Sequence, residues 1–331
     1  MIIMSEEIKE QPNKSDELVE SDTVLRIENL TKKFDEIVAV NNVSFDVKKG
    51  EILGIIGANG SGKTTLFNLI SGVHDPTTGK IFAIQQTRTT SQNFKYEILR
   101  PFISLFNGII YLFITLISFV LFPFDLADFK DRSKNKRKRE TALLNGRNSV
   151  DIGGMRSDLI VNEFGIARTF QIVRPFKFLT THENVTIPHV PRKTFASPAK
   201  LKSDGLRSLL DVDLGEKKNY PAFILPHGDL KRLDISRTLA CDPEIILLDE
   251  PYSGLGSEDS FRITQLIKRA NEEFGVTIMI VEHKLKFLSK LVTRIIVLDQ
   301  GTVIAVGTPK EISENKKVIS AYLGTEASQI A

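Results

Sequence analysis

Residues 57–65 read Gly57-Ala-Asn-Gly-Ser-Gly-Lys-Thr-Thr65, a match to the phosphate-binding pattern G-x-x-x-x-G-K-[ST] at Gly57, Gly62, Lys63 and Thr64. Its context gives the match a mechanism. The preceding run, Glu51-Ile-Leu-Gly-Ile-Ile56, is short, apolar and β-branched, as a strand buried in a parallel sheet must be. The following run, Leu66-Phe-Asn-Leu-Ile-Ser71, reads as an apolar helix start. Glycines let backbone N–H groups curl around a phosphate, and the helix N-terminus adds partial positive charge. Lys63 can reach terminal phosphates, the Thr64 hydroxyl can ligate Mg²⁺, and Asn59, Gly60, Ser61 and Thr65 complete the cradle. The stretch predicts a nucleotide-binding loop, with ATP and Mg²⁺ as cofactors.

Downstream, Glu244-Ile-Ile-Leu-Leu-Asp-Glu250 repeats the logic. Four apolar residues make a buried strand that delivers two carboxylates at its C-terminal end, where ligands of open α/β sheets bind. Asp249 is placed to hold Mg²⁺ through its water shell, and Glu250 to orient or deprotonate an attacking water. Further strands are expected at Val276–Val281, which delivers Glu282 and His283, at Arg294–Asp299 and at Thr302–Gly307. Helical stretches at 260–274 and 285–291 alternate with them. The fold class expected is α/β, a P-loop NTPase with a mainly parallel RecA-like sheet. Alternation over Val24–Val47 adds an N-terminal antiparallel β part.

The composition, 41% hydrophobic with net charge +3 over 331 residues, is that of an ordinary globular protein and carries no nucleic-acid signature. Residues 1–23 hold seven acidic residues against two lysines and read as a disordered acidic tail. The lone Cys241 excludes an internal disulfide. One segment departs from this picture: Pro101–Phe124 runs 24 residues without a charge, and the basic cluster Lys134–Arg139 follows it. By length and hydropathy it qualifies as a membrane span.

The order of motifs resembles the ATP-binding subunits of ABC transporters. The specific marks are Gln171 within Ala167-Arg-Thr-Phe-Gln171, Leu-Leu-Asp-Glu-Pro at 247–251 and Val-Glu-His at 281–283, and the resemblance runs from residue 24 to about 325. Within that family, Gly165–Gln171, Val281-Glu-His-Lys284 and the tail Ile304–Ile312 running on to Leu323-Gly324 look like the ATPases of branched-chain amino acid importers. The resemblance implies a core in two parts, 24–84 and 149–308, with a helical subdomain at about 172–240 and a helical extension at 309–331. Residues 85–148 form an insertion. It implies that Phe34 stacks on adenine, that Gln171 contacts Mg²⁺ and the attacking water, and that His283 contacts the γ-phosphate and helps position Glu250. It also implies membrane permease subunits, a second ATP-binding subunit and, indirectly, a solute-binding protein as partners, at the cytoplasmic face of the membrane.

Two departures stand out. The family signature L-S-G-G-Q is replaced by Leu225-Pro-His-Gly-Asp229, so Pro226 takes the place of a hydroxyl donor. Asp229 is expected to set a negative charge where a partner's polyphosphate docks, unless Lys231 or Arg232 offsets it. The chain's own catalytic set looks complete while its contribution in trans looks impaired, which predicts a heterodimer. The insertion is the other departure. A single span through 101–124 would separate the phosphate loop from Glu250, and 24 residues are about half of two spans. A re-entrant or interfacial element, a helix packed on the permease, or an apolar cap on this chain remain. The expected function is an ATP-hydrolysing importer subunit; the alternative is a nucleotide-binding regulatory or assembly module with little hydrolysis.

Overall fold

The run Ile52–Ile56 forms strand β3 and is buried along its whole length. Its side chains divide by the period of two that a strand imposes. Ile52 and Ile56 point into one hydrophobic core, Leu53 and Ile55 into another. Strands β8 (Ile245–Asp249) and β9 (Thr277–Val281) split the same way, which makes the sheet they share the central layer of the molecule.

The computed structural model describes residues 22–84, 141–144, 147–189, 204–205, 207–209, 211–283 and 285–327. The expected membrane-contacting stretch 101–124, the basic cluster 134–139 and the tail 1–21 lie outside them. Among the described residues, no helix is long and apolar enough to cross a membrane.

The central sheet has the order β11-β10-β3-β9-β8-β7, with β7 at Ile166–Arg168, β10 at Arg294–Asp299 and β11 at Thr302–Gly307. All pairs are parallel except β10 with β11, an antiparallel hairpin at the edge. A second, antiparallel sheet has the order β2-β1-β4-β6-β5. Its strands are β1 (Thr23–Phe34), β2 (Ile37–Lys48), β4 (Thr78–Ile84), β5 (Thr141–Leu144) and β6 (Arg147–Asp151).

One core joins this second sheet, through Leu25, Ile27, Val43 and Ile81, to one face of the central sheet. Helix α1 (Lys63–Ile70) fills the same core with Leu66, Phe67, Leu69 and Ile70, and α2 (Ser157–Phe164) adds Ile160 and Phe164. The opposite face packs on later helices. A short α3 (Thr181–Thr186), closed by a Thr180/Glu183 capping box, precedes α4 (His227–Leu239) and α5 (Ser257–Glu272). Val185, Leu233, Ile235, Ile263, Leu266 and Ile267 from these helices meet the sheet there. Helices α6 (Leu285–Leu288), α7 (Pro309–Glu314) and α8 (Lys316–Ala327) complete the described chain. The expected helix at 285–291 shortens to a single turn, and Leu291 and Val292 are buried beyond it.

The parallel order aligns the C-terminal ends of β3, β7, β8 and β9. Those ends deliver residues 57, 169, 250 and 282 to one edge of the sheet.

Candidate nucleotide site

The loop after β3 is held by contacts that only glycine permits. A Cβ on Gly57 would run into the Leu298 carbonyl oxygen, and one on Gly62 into that of Ala39. Gly62 also stands at φ 98°, in the left-handed region, as the residue from which α1 begins. The helix therefore starts at Lys63, inside the motif, and its first turn points at the loop. Lys63 is buried, and its Nζ donates to the carbonyls of Gly57 and Ala58, each at 2.8 Å. Burial lowers its pKa, while the carboxylates of Glu250, Asp249 and Glu282 act in the opposite sense. Thr64, Asn59 and Gly60 are exposed, Ser61 is buried and Thr65 is half-buried.

At the end of β8, Asp249 is 1% exposed. Its Oδ2 receives Arg168 at 2.7 Å, and Arg168 also donates to Asn68 Oδ1 at 2.5 Å and Ser71 Oγ at 3.2 Å, both at the far end of α1. The other carboxylate oxygen, Oδ1, is buried and has no hydrogen-bond partner. An orphaned anionic acceptor beside the phosphate loop suits a cation or its bound water. The residues present thus fit the expected Mg²⁺, with Asp249 and Thr64 as the groups that would hold it.

Glu250 begins the next turn with φ 47°, a conformation that costs a non-glycine residue free energy and recurs at functional sites. Its N–H donates to Val281 O at 3.0 Å. Gln171 Nε2 donates to Glu250 Oε2 at 2.8 Å, so two of the residues expected to handle water are brought together. Gln171 itself is exposed.

His283 lies exposed in the turn after β9. Its side chain is 46% exposed and Nδ1 lies 3.8 Å from Glu282 Oε2. Among the described residues its charged neighbour is Glu282 rather than Glu250. The buried Glu282 accepts from the N–H of Tyr252 at 3.0 Å and that of His283 at 3.1 Å, tying the turn after β8 to the turn after β9.

Phe34 is 39% exposed, edge-on to His74 with ring centroids 5.3 Å apart and with Lys32 Nζ 4.9 Å from its ring centroid. It ends β1 and is no core residue, so a face remains for a planar ligand.

The signature stretch is part buried and part exposed. Leu225, Gly228 and Asp229 are buried, and only Pro226 and His227 are exposed. A Cβ on Gly228 would strike the Asp259 carboxylate, so the start of α4 packs closely on the first turn of α5. Asp229 turns inward and pairs with Arg232 and Lys217. Its charge is offset within the chain, by Arg232, one of the two residues expected for that task, and by Lys217. Lys231, considered for that task, instead donates to the carbonyls of Gln171 and Glu250.

Sequence reading gave Arg168 and Glu282 no role, and gave Lys231 only the offsetting of Asp229. Arg168 had a weak signal, three residues before Gln171 in a strand too short to show alternation. Glu282 had none beyond its place at a strand end.

The family model described as ABC transporter matches residues 40–110, and that described as branched-chain amino acid ATP-binding cassette transporter matches residues 302–328. The high-affinity branched-chain amino acid transport ATP-binding protein LivG of Salmonella typhimurium is 31% identical, over 92% of this chain and 99% of LivG. BraF of Pseudomonas aeruginosa is 29% identical over 91% and 98%. Among solved structures, an ATP-binding cassette of an ABC transporter in its ADP conformation superposes with a TM-score of 0.64 at 23% identity, covering 91% of this chain and 99% of that one. A dimeric bacterial ABC transporter cassette gives 0.58 at 25% identity over 86% and 98%. With the phosphate loop, the Asp249–Glu250 strand end and Gln171 at one sheet edge, the chain belongs to the ATP-binding proteins of ABC transporters, in the family that includes LivG and BraF.

Proposed function

We infer that the chain is the ATP-hydrolysing subunit of an importer for branched-chain amino acids or a similar small polar solute. It would work beneath permease subunits at the cytoplasmic face of the membrane, with a solute-binding protein supplying cargo from the other side. The observation that carries the catalytic half of this reading is the 2.8 Å bond from Gln171 to Glu250 at the edge where the phosphate loop opens. The similarity to LivG and BraF over nearly their full length, at 31% and 29% identity, carries the transport half.

The chain's residues divide the work. Backbone N–H groups of 58–64 and the α1 N-terminus receive the phosphates, and the Lys63 ammonium exchanges its loop carbonyls for phosphate oxygens. Phe34 offers its exposed face to adenine. Asp249, fixed by Arg168, and Thr64 would hold Mg²⁺, which when bound would supply neutralising charge on the phosphates. Glu250 and Gln171 orient a water in line with the terminal phosphate, and Glu250 takes its proton. His283, on the exposed rim, is the remaining donor for the terminal phosphate.

The partner is a second ATPase chain. Pro226 and His227 are what this chain exposes at its signature, with no hydroxyl donor between them. A partner with an intact signature completes this chain's site, which favours a heterodimer. The chain alone should then turn over ATP slowly, and adding the second subunit should raise the rate at least tenfold. Full transporter-like turnover by the isolated chain would contradict the heterodimer. The same signature stretch motivates a second reading, an assembly module that binds ATP with little hydrolysis. It predicts no acceleration by any partner.

A further inference from the structure

Lys231 lies two residues past the signature stretch, on α4, and is 4% exposed. A buried ammonium is costly unless its donors are used. Its Nζ donates to the carbonyl of Gln171 at 3.0 Å and to the carbonyl of Glu250 at 3.3 Å. Those same two residues are joined by their side chains at 2.8 Å. The three residues therefore close a ring: one ammonium grips both backbones, and the amide–carboxylate bond joins the tips. Glu250 needs such support, because φ 47° is a conformation its own chain does not favour. Its N–H is fixed by Val281 O and its carbonyl by Lys231, so both peptide groups flanking the carboxylate are anchored.

The grip comes from a separate element. Gln171 follows β7 and Glu250 follows β8, while Lys231 belongs to the helix whose first turn is the signature. Its neighbours in that turn are engaged elsewhere, Asp229 with Arg232 and Lys217. Lys231 alone of them reaches the Gln171–Glu250 pair.

We propose that Lys231 is a positioning residue that fixes Gln171 and Glu250 relative to each other and ties their placement to the signature helix. It rests on the reading of Glu250 and Gln171 as the hydrolytic pair. The ammonium contacts the backbone of these residues and no residue of the phosphate loop, so it should govern the chemical step and leave nucleotide capture alone.

The test is steady-state ATP hydrolysis by the full-length chain with its partner ATPase subunit, for wild type and for Lys231→Met, Lys231→Gln and Lys231→Arg, beside ATP binding by equilibrium titration. Lys231→Met should lower kcat about tenfold or more while KM and the ATP dissociation constant stay within about twofold. Lys231→Arg, whose fork can serve two carbonyls, should recover most of the rate, and Lys231→Gln should fall between. If Lys231→Met does not fold, the Gln and Arg pair carries the same comparison. Equal kcat across the variants, or loss of ATP affinity in step with kcat, would overturn the inference while leaving the hydrolytic reading in place. A wild-type complex without turnover would overturn that reading and the inference together.

Discussion

Arg168 and Asp249 form an ion pair at 2.7 Å with side chains only 5% and 1% exposed. The pair joins the short strand before Gln171 to the strand that ends in Glu250, and through Asn68 and Ser71 it also braces the end of α1. Replacing Arg168 by Met leaves a buried carboxylate with neither oxygen paired. A loss of about 3–5 kcal/mol in unfolding free energy is expected, the usual penalty for removing one partner of a buried pair. Urea unfolding at neutral pH measures it.

Asp249→Asn tests the metal assignment. The orphaned Oδ1 is the acceptor that suits a cation, and an amide is a far weaker one. The Mg²⁺ concentration for half-maximal turnover should rise about tenfold or more, as removal of a ligand's charge implies. An unchanged Mg²⁺ dependence would place the metal elsewhere.

Gly62→Ala combines a left-handed φ of 98° with a collision against the Ala39 carbonyl. The loop cannot keep its shape. A loss of at least about 2 kcal/mol is expected, together with ATP binding. Thermal unfolding and nucleotide titration on one sample read both.

Asp234, on the buried face of α4, titrates in the fold at about 6 against an ordinary 3.8. Burial disfavours its carboxylate, while Arg237, the Phe170 amide and Lys231 work against that shift. The folded chain thus keeps a proton that the unfolded chain releases between those values. Stability contributed by this group is complete below the lower value and falls as pH rises toward 6, by on the order of 3 kcal/mol. Asp234→Asn removes the dependence. It should be more stable than wild type above pH 6 and indistinguishable from it at pH 3.5, in chemical unfolding at the two pH values.

How far the sequence could be read depended on how each element carries its signal. Strands β3, β8, β9 and β10 are short apolar runs rich in β-branched residues with turn residues at their ends, and their positions follow from that alone. The phosphate loop and the Asp249–Glu250 end were legible because their chemistry depends on residue type at fixed spacing. The strands Thr141–Leu144 and Arg147–Asp151 were not, since they show little alternation and the first of them, with the start of the second, lies within residues 85–148, read as insertion. The buried charges of α4 were equally hidden. Asp229, Lys231, Arg232 and Asp234 look like a solvated face; the sequence offered Arg232 as a partner of Asp229, but only the fold shows that the group is buried and that Lys231 turns to two backbone carbonyls. Likewise His283 sits beside Glu282 because a strand end fixes the backbone position and leaves the side-chain direction open.

The most direct test of the account is Glu250→Gln. ATP hydrolysis should be measured for the full-length chain with its partner ATPase subunit, together with ATP retention on the chain. Gln171 can still bond the new amide oxygen, so the fold and the phosphate loop should persist. The account predicts turnover at least about a hundredfold below wild type with ATP binding intact, the cost of losing a positioned general base. Turnover within twofold of wild type would contradict it.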